Sequence, residues 1–364
     1  MTAIDPTAAR VLRDYPHISP GVGCRFDPSG RFLFVSAQDN TIQRIDLLTG
    51  IKTSLEGHKS WVRGMAFLPA KGNANDEFAK FEVQYDPLAA TVGLGAAMLN
   101  APKAIPFQLI SSDYHGNLIW WDGAAPKPTP IRTVKAHDGW IRAVAVSPDR
   151  ATIASCGNDK LVKLWSADGK PLKTLEGHGS HVYNVAFHPE GKNLASGDLQ
   201  GTIKDWDLKT GKSVRDLDAK ALHKFDLVFL ADIGGARGMA FAPDGTLLCS
   251  GITNVTNAFA GVGNPAVIAF PWADGKPKLL KTKETFQGTA WGVGTLPGDH
   301  IVAAGGGNGG RIWFWKGEDP TGIHTVTLAS NARDLAVHPA GDRIAVALAN
   351  GTTSLYTLLP KPAK

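Results

Sequence analysis

The stretch HDGWIRAVAVSPDRATIASCGNDKLVKLWSADGKPLKTLEGH, residues 137–178, decides how this chain is read. Much of it then happens again. Trp165 recurs as Trp206, 41 residues on, with Ser155 returning as Ser196 and Pro148 as Pro189 at the same interval. Short alternating apolar runs separated by turn residues have the pattern of half-buried strands. A unit returning every 40 or so residues is one supersecondary element that stacks on its copies, and stacked units share one continuous core.

A proline turn carries the repeat along the chain. It stands at Pro28, Pro69, Pro148, Pro189, Pro243, Pro297 and Pro339, each time between two apolar runs. Proline sets φ at the first central position of a turn, and a Gly or Asp beside it tolerates the backbone angles that complete the turn. Each site therefore reads as a strand–turn–strand corner. Seven corners imply seven units.

On these residues the chain resembles the WD40-repeat family over nearly its whole length. The resemblance implies an all-β fold, a seven-bladed β-propeller of four-stranded antiparallel blades, as a single domain over residues 1–364. It also implies a buried set of His, Ser or Thr, Asp and Trp in each well-formed blade. The third blade carries the full set as His137, Ser155, Asp159 and Trp165. An imidazole, a hydroxyl and an indole N–H buried between strands must satisfy one another. Blade four matches with His178, Ser196 and Trp206, and Gln200 stands where the Asp is due. Blade two has His58, Ser111 and Trp121, with His115 at that place. Blade one keeps His17 and Asp39 but has Val35 and Ile45 for the Ser and Trp. Blades five to seven lack the His and end on Phe270 or Trp272, Trp315 and Tyr356, so apolar packing is expected to hold them. The last unit, residues 333–359, has only three strand-like runs. A strand at about residues 9–15 is expected to supply its fourth and close the ring, which removes open sheet edges.

Insertions interrupt the repeat at about residues 70–106 in blade two, and at about 219–235 and 252–265 beside blade five. Family topology puts the latter two on the top face. The first reads as a loop folded back on its blade, or else as an exposed docking element. The pair reads as specificity loops on a rigid scaffold.

Composition narrows the function. A net charge of +5 and a pI near 9.0 are mildly basic. No dense stripe of Lys and Arg appears, so a nucleic-acid-associated factor stays only an alternative. Cys24, Cys156 and Cys249 lie far apart in apolar runs and read as buried free thiols, not as a disulfide framework. No leader-like start and no membrane-length apolar stretch is seen, so a soluble cytoplasmic protein is expected.

Aligning the starts of the innermost strands puts Val22, Arg63, Arg142, Tyr183, Arg237, Trp291 and Arg333 at one position. Two residues earlier stand Trp61, Trp140 and His181. In the architecture that the resemblance implies, these residues surround the top mouth of a central channel. Guanidiniums and aromatic rings converging there suit carboxylates, phosphates or an acidic peptide. Alternatively, the arginines pair internally with Asp138, Asp232 or Asp334. A cationic, aromatic ring position repels a metal, and histidines that recur with the repeat are structural. The glycine run at residues 305–310 lacks the Lys-Ser/Thr of a phosphate loop and reads as a turn. The expectation is a non-catalytic protein- or peptide-binding scaffold without metal or cofactor, alone or within a larger complex, favouring acidic or phosphate-bearing segments. A propeller enzyme with a small-molecule site at the channel mouth is the other alternative.

Overall fold

The computed structural model describes residues 3–69, 106–317 and 319–360. The blade-two insertion therefore lies, except for residue 106, outside the described residues. Those described form strands and two single-turn 3-10 segments, Pro6–Ala8 and Lys220–Leu222. None of their helices is long and apolar enough to cross a membrane.

The described strands form seven four-stranded antiparallel blades, of which the fifth and sixth are joined into one eight-stranded sheet through Gly263 opposite Gly288. Their innermost strands are Gly21–Phe26, Val62–Pro69, Ile141–Val146, Val182–Phe187, Gly238–Phe241, Gly288–Leu296 and Ala332–Val337. Each innermost strand touches the next in this order, and the last touches the first. Each blade steps outward through successive hairpins. The seventh is completed differently. Its outer strand is Arg10–Tyr15, paired from Arg10 opposite Thr357 to Tyr15 opposite Thr353. The Ser354 hydroxyl donates to Asp14 at 2.6 Å, and Arg10 donates to the Leu359 carbonyl at 2.6 Å. A small extra hairpin, His223–Asp226 with Ala231–Gly234, stands between blades four and five.

The core follows from the alternation of side chains along each strand. Seven apolar clusters form, one between each pair of neighbouring blades. The cluster between blades seven and one contains Tyr15, Cys24, Leu33, Ala345 and Leu355. All three cysteines are free and buried, and burial pushes each thiol far above its ordinary range.

The expected buried network is present in blade three. His137 Nδ1 meets Asp159 at 2.9 Å, its Nε2 meets Ser155 Oγ at 2.7 Å, and Trp165 Nε1 donates to that oxygen at 2.9 Å. Blades two and four correct the reading of their acid. His115 and Gln200 do stand at the place of Asp159, four residues after the Ser, but the acid comes from another position. His58 pairs with Asp113 and His178 with Asp198, each at 2.9 Å, and the Ser and Trp contacts are complete in both blades. Each of these acids lies two residues after its Ser, at the end of the second strand, where blade three has Gly157. A strand-end carboxylate thus reaches the same imidazole that Asp159 reaches from the turn. Blade one retains only the pair of His17 and Asp39, at 2.7 Å.

Blades five to seven close on apolar residues. Phe270, not Trp272, is paired with the second strand where the other blades carry their Trp, opposite Leu247. Trp315 Nε1 donates to the Lys281 carbonyl at 2.8 Å. The Ser250 hydroxyl is buried without a hydrogen-bond partner among the described residues. Residues 305–310 form the end of a tight hairpin in which Gly307 faces Gly309 across Asn308.

Candidate functional site

The aligned ring position has a backbone cause. In six blades the register of the innermost strand slips by one residue there. The slips fall between Gly21 and Gly23, Val62 and Gly64, Ile141 and Ala143, Val182 and Asn184, Ala290 and Gly292, and Ala332 and Asp334. The residues left unpaired are Val22, Arg63, Arg142, Tyr183, Trp291 and Arg333. A bulge of this kind bends the strand and re-aims the extra side chain. In blade five, Arg237 immediately precedes the strand and its amide bonds the Ser250 carbonyl.

The residue after the bulge is small where blades crowd. A Cβ on Gly64 would lie 3.0 Å from the backbone nitrogen of Val144, and one on Gly292 would lie 2.6 Å from that of Leu335. The collar above the bulges is tied down as well. The carbonyls of Trp61, Trp140 and His181 accept from the amides of Tyr114, Asn158 and Leu199.

The side chains so aimed do meet. Arg63, Arg142, Tyr183, Arg237, Trp291 and Arg333 line one cavity of about 160 Å³, and Trp61 sits on its wall. Arg142 lies 4.6 Å from the Trp140 ring and 4.5 Å from the Tyr183 ring. Arg237 lies 4.6 Å from Tyr183 on one side and 5.2 Å from Trp291 on the other. Arg63 donates to the Val22 carbonyl at 2.6 Å, and Arg142 to Asn158 at 2.8 Å.

Internal pairing with the three candidate acids does not form. Asp334 is taken by Arg25 at 2.6 Å, Asp232 by His223 and Gln200, and the Asp138 side chain joins no arginine among the described residues. Among those residues, too, Arg63, Arg142, Arg237 and Arg333 make no ion pair with a carboxylate. Burial lowers Arg237 below the ordinary arginine value; contact with Tyr183 opposes this, and the guanidiniums of Arg142 and Arg63 add to it. His181 is lowered by burial and by Arg142.

Three residues at the site escaped the sequence alignment. Tyr114 stacks on Trp140 at 4.1 Å between centroids, with planes 4° apart. Gln38 joins the cavity wall from the corresponding turn of blade one. Arg25 lies deeper in the channel. The signal for Tyr114 and Gln38 was their place in the second turn of the blade, which faces the same end as the ring.

The two insertions beside blade five stand together. Residues 252–265 prolong two strands of the blade into a hairpin, which leans on blade six through Gly263 opposite Gly288 and through Gln287 to Asn264 at 3.1 Å. The neighbouring hairpin presents Leu227 and Val228, 80% and 86% exposed, beside Phe259 at 86%. Phe229 and Phe259 touch across the gap, their centroids 6.3 Å apart.

The model of the family described as WD domain, G-beta repeat matches residues 128–166 and 169–207. The chain is similar to the target of rapamycin complex subunit wat1 of Schizosaccharomyces pombe, 33% identical over 115 residues, covering 31% of this chain and 36% of that protein. It is 42% identical over 91 residues to the small ribosomal subunit protein RACK1y of Oryza sativa subsp. japonica, 24% of this chain and 27% of the relative. It is 31% identical over 192 residues to the nuclear distribution protein PAC1-2 of Uncinocarpus reesii, 52% of this chain and 38% of the relative. The chain thus spans between about a quarter and two fifths of these relatives' lengths.

Proposed function

We propose, from the premise that this chain is a WD40-repeat protein, that it is a non-catalytic platform which binds a protein or peptide at the mouth of its channel. The carrying observation is the meeting of four guanidiniums from blades two, three, five and seven, without acids, among Tyr183, Trp291 and Trp61. Such a surface favours an acidic or phosphate-bearing segment, because each charge-assisted hydrogen bond to guanidinium contributes roughly 1.5–3 kcal/mol. The aromatic rings add apolar area at small conformational cost. The exposed crest of Leu227, Val228 and Phe259 supplies a second, apolar contact that selects among acidic partners. The relatives named above include a complex subunit and a ribosomal subunit protein, which supports a binding role in the cytoplasm.

The test replaces Arg63, Arg142 and Arg333 by Glu together. Affinity purification with mass spectrometry then compares the triple variant with the wild type. The variant is expected to keep its circular dichroism spectrum and lose the wild-type partners, with affinity for a purified partner falling at least about 100-fold. An unchanged partner set on a folded variant removes the mouth as the docking site.

A further inference from the structure

Below the mouth the channel opens into a second cavity of about 320 Å³. The linings of the two cavities together contain five guanidiniums, those of Arg25, Arg63, Arg142, Arg237 and Arg333, and one carboxylate, Asp334. Asp334 is already committed. Its Oδ2 accepts from Arg25 at 2.6 Å and from the Cys24 amide at 3.2 Å. Desolvation works to lower Arg25, and Asp334 more than offsets it. Four positive charges are left without a partner acid among the described residues.

Three of them, Arg63, Arg142 and Arg237, line both cavities and so form the neck between them. Arg237 is hydrogen-bonded to Tyr183 but not fully satisfied. Its Nε is buried and has no hydrogen-bond partner among the described residues. A buried donor left without an acceptor destabilises the fold, and so does a set of like charges in a low-dielectric space. The depression of Arg237 by burial and by its two neighbours is the same tension seen from the proton's side. An anion in the neck relieves both costs.

The shape of the cluster limits the anion. A planar carboxylate takes its donors close to its own plane, as in the fork of a single guanidinium. Here the donors come from blades two, three and five and surround the axis from separate directions. That arrangement fits a group whose oxygens point to the corners of a tetrahedron. We propose that the neck of the channel binds one free tetrahedral oxyanion of the phosphate or sulfate class, held by Arg63, Arg142 and Arg237.

The site rests on the guanidinium cluster of the docking function and shares Arg63, Arg142 and Arg237 with it, but it does not use Arg333, which belongs to the mouth and not to the lower cavity. The experiment titrates the full chain with sodium phosphate by calorimetry in chloride buffer at fixed ionic strength, and follows melting in parallel. One phosphate per chain is expected, with a melting temperature that rises with phosphate and with sulfate beyond any effect of chloride. R237Q is expected to weaken phosphate binding at least tenfold, and R333E to leave it within about twofold. R237K, which keeps the charge, reports whether the position tolerates change at all. If R237Q does not fold, the wild-type titration decides alone. Absence of saturable phosphate binding in the wild type overturns the proposal, as does R237Q binding as tightly as the wild type. A phosphoserine peptide that binds where free phosphate does not also overturns it, and leaves the docking function standing. Loss of partners from the triple Glu variant, with no phosphate bound to the wild type, separates the two the same way.

Discussion

Deletion of residues 1–16 is expected to lower the melting temperature by on the order of 10 °C, which follows from a loss of about 5 kcal/mol. The deletion strips the outer strand from blade seven. The ladder from Arg10 opposite Thr357 to Tyr15 opposite Thr353 is lost, and so are the contacts of Asp14 to Ser354 and Arg10 to Leu359. Tyr15, only 3% exposed, leaves a hole in the cluster it shares with Leu33 and Leu355. Burying an aromatic side chain of this size is worth roughly 1.5–3 kcal/mol before any cavity is counted. Strand Thr353–Thr357, buried along its whole length, becomes an open edge. Differential scanning calorimetry gives the answer directly. A truncated chain that melts with the intact one would show that strand Arg10–Tyr15 is dispensable.

The second large effect separates two residues that are neighbours in sequence. Asp198→Ala is expected to destabilise the fold by about 3–5 kcal/mol, whereas Gln200→Ala changes it by less than about 0.5 kcal/mol. Asp198 is the acceptor for His178 at 2.9 Å, and it also receives the backbone amides of Gln200 and Thr202 at 3.0 and 2.9 Å. Its removal strands an imidazole that is buried against Ser196 and Trp206. Gln200 instead points its amide to Asp232 at 3.0 Å, in an exposed setting. Urea titration of the two variants decides, and equal midpoints would refute the assignment of Asp198. The equivalent acids in blades two and three add a pH dependence. Desolvation tends to raise Asp113 and Asp159, but the hydrogen bonds and charge of His58 and His137 and the nearby backbone amides together outweigh it and hold both below the ordinary carboxylate value. A depressed carboxylate lends stability that is full above the unfolded value and is lost as pH falls through the folded one. The stability these two acids contribute is therefore expected to hold down to about pH 4 and to decline below it, whereas His338, pushed down to about 4 chiefly by burial, costs stability from about pH 6.5 downward.

Much of this molecule was readable from single residues because the determining chemistry is local. The corners follow from prolines such as Pro148 and Pro189, whose turns need no distant partner. The ring position was found because the bulge adds one residue in six blades alike, which keeps Arg63, Arg142 and Arg333 in step. The acids of blades two and four were missed for a geometric reason. A strand end and a turn two residues later face the same histidine, so Asp113 and Asp198 replace Asp159 without replacing its contact. Tyr114 and Arg25 were missed because their meaning lies in other blades. The first rests on Trp140 of the next blade, and the second binds Asp334, 309 positions away. No one-dimensional pattern encodes such neighbours.

The shared seventh blade also sets a timetable for the newly made chain. Translation delivers strand Arg10–Tyr15 well ahead of its partner Thr353–Thr357, with Asp14 and Ser354 340 residues apart. At roughly 5–20 residues per second the first strand waits on the order of tens of seconds outside the ribosome. Blades one to six can stack on one another as they emerge, since each leans on its predecessor. Blade seven is then completed by the capture of its first-made strand by its last-made one, and a chain stalled before residue 353 cannot perform it.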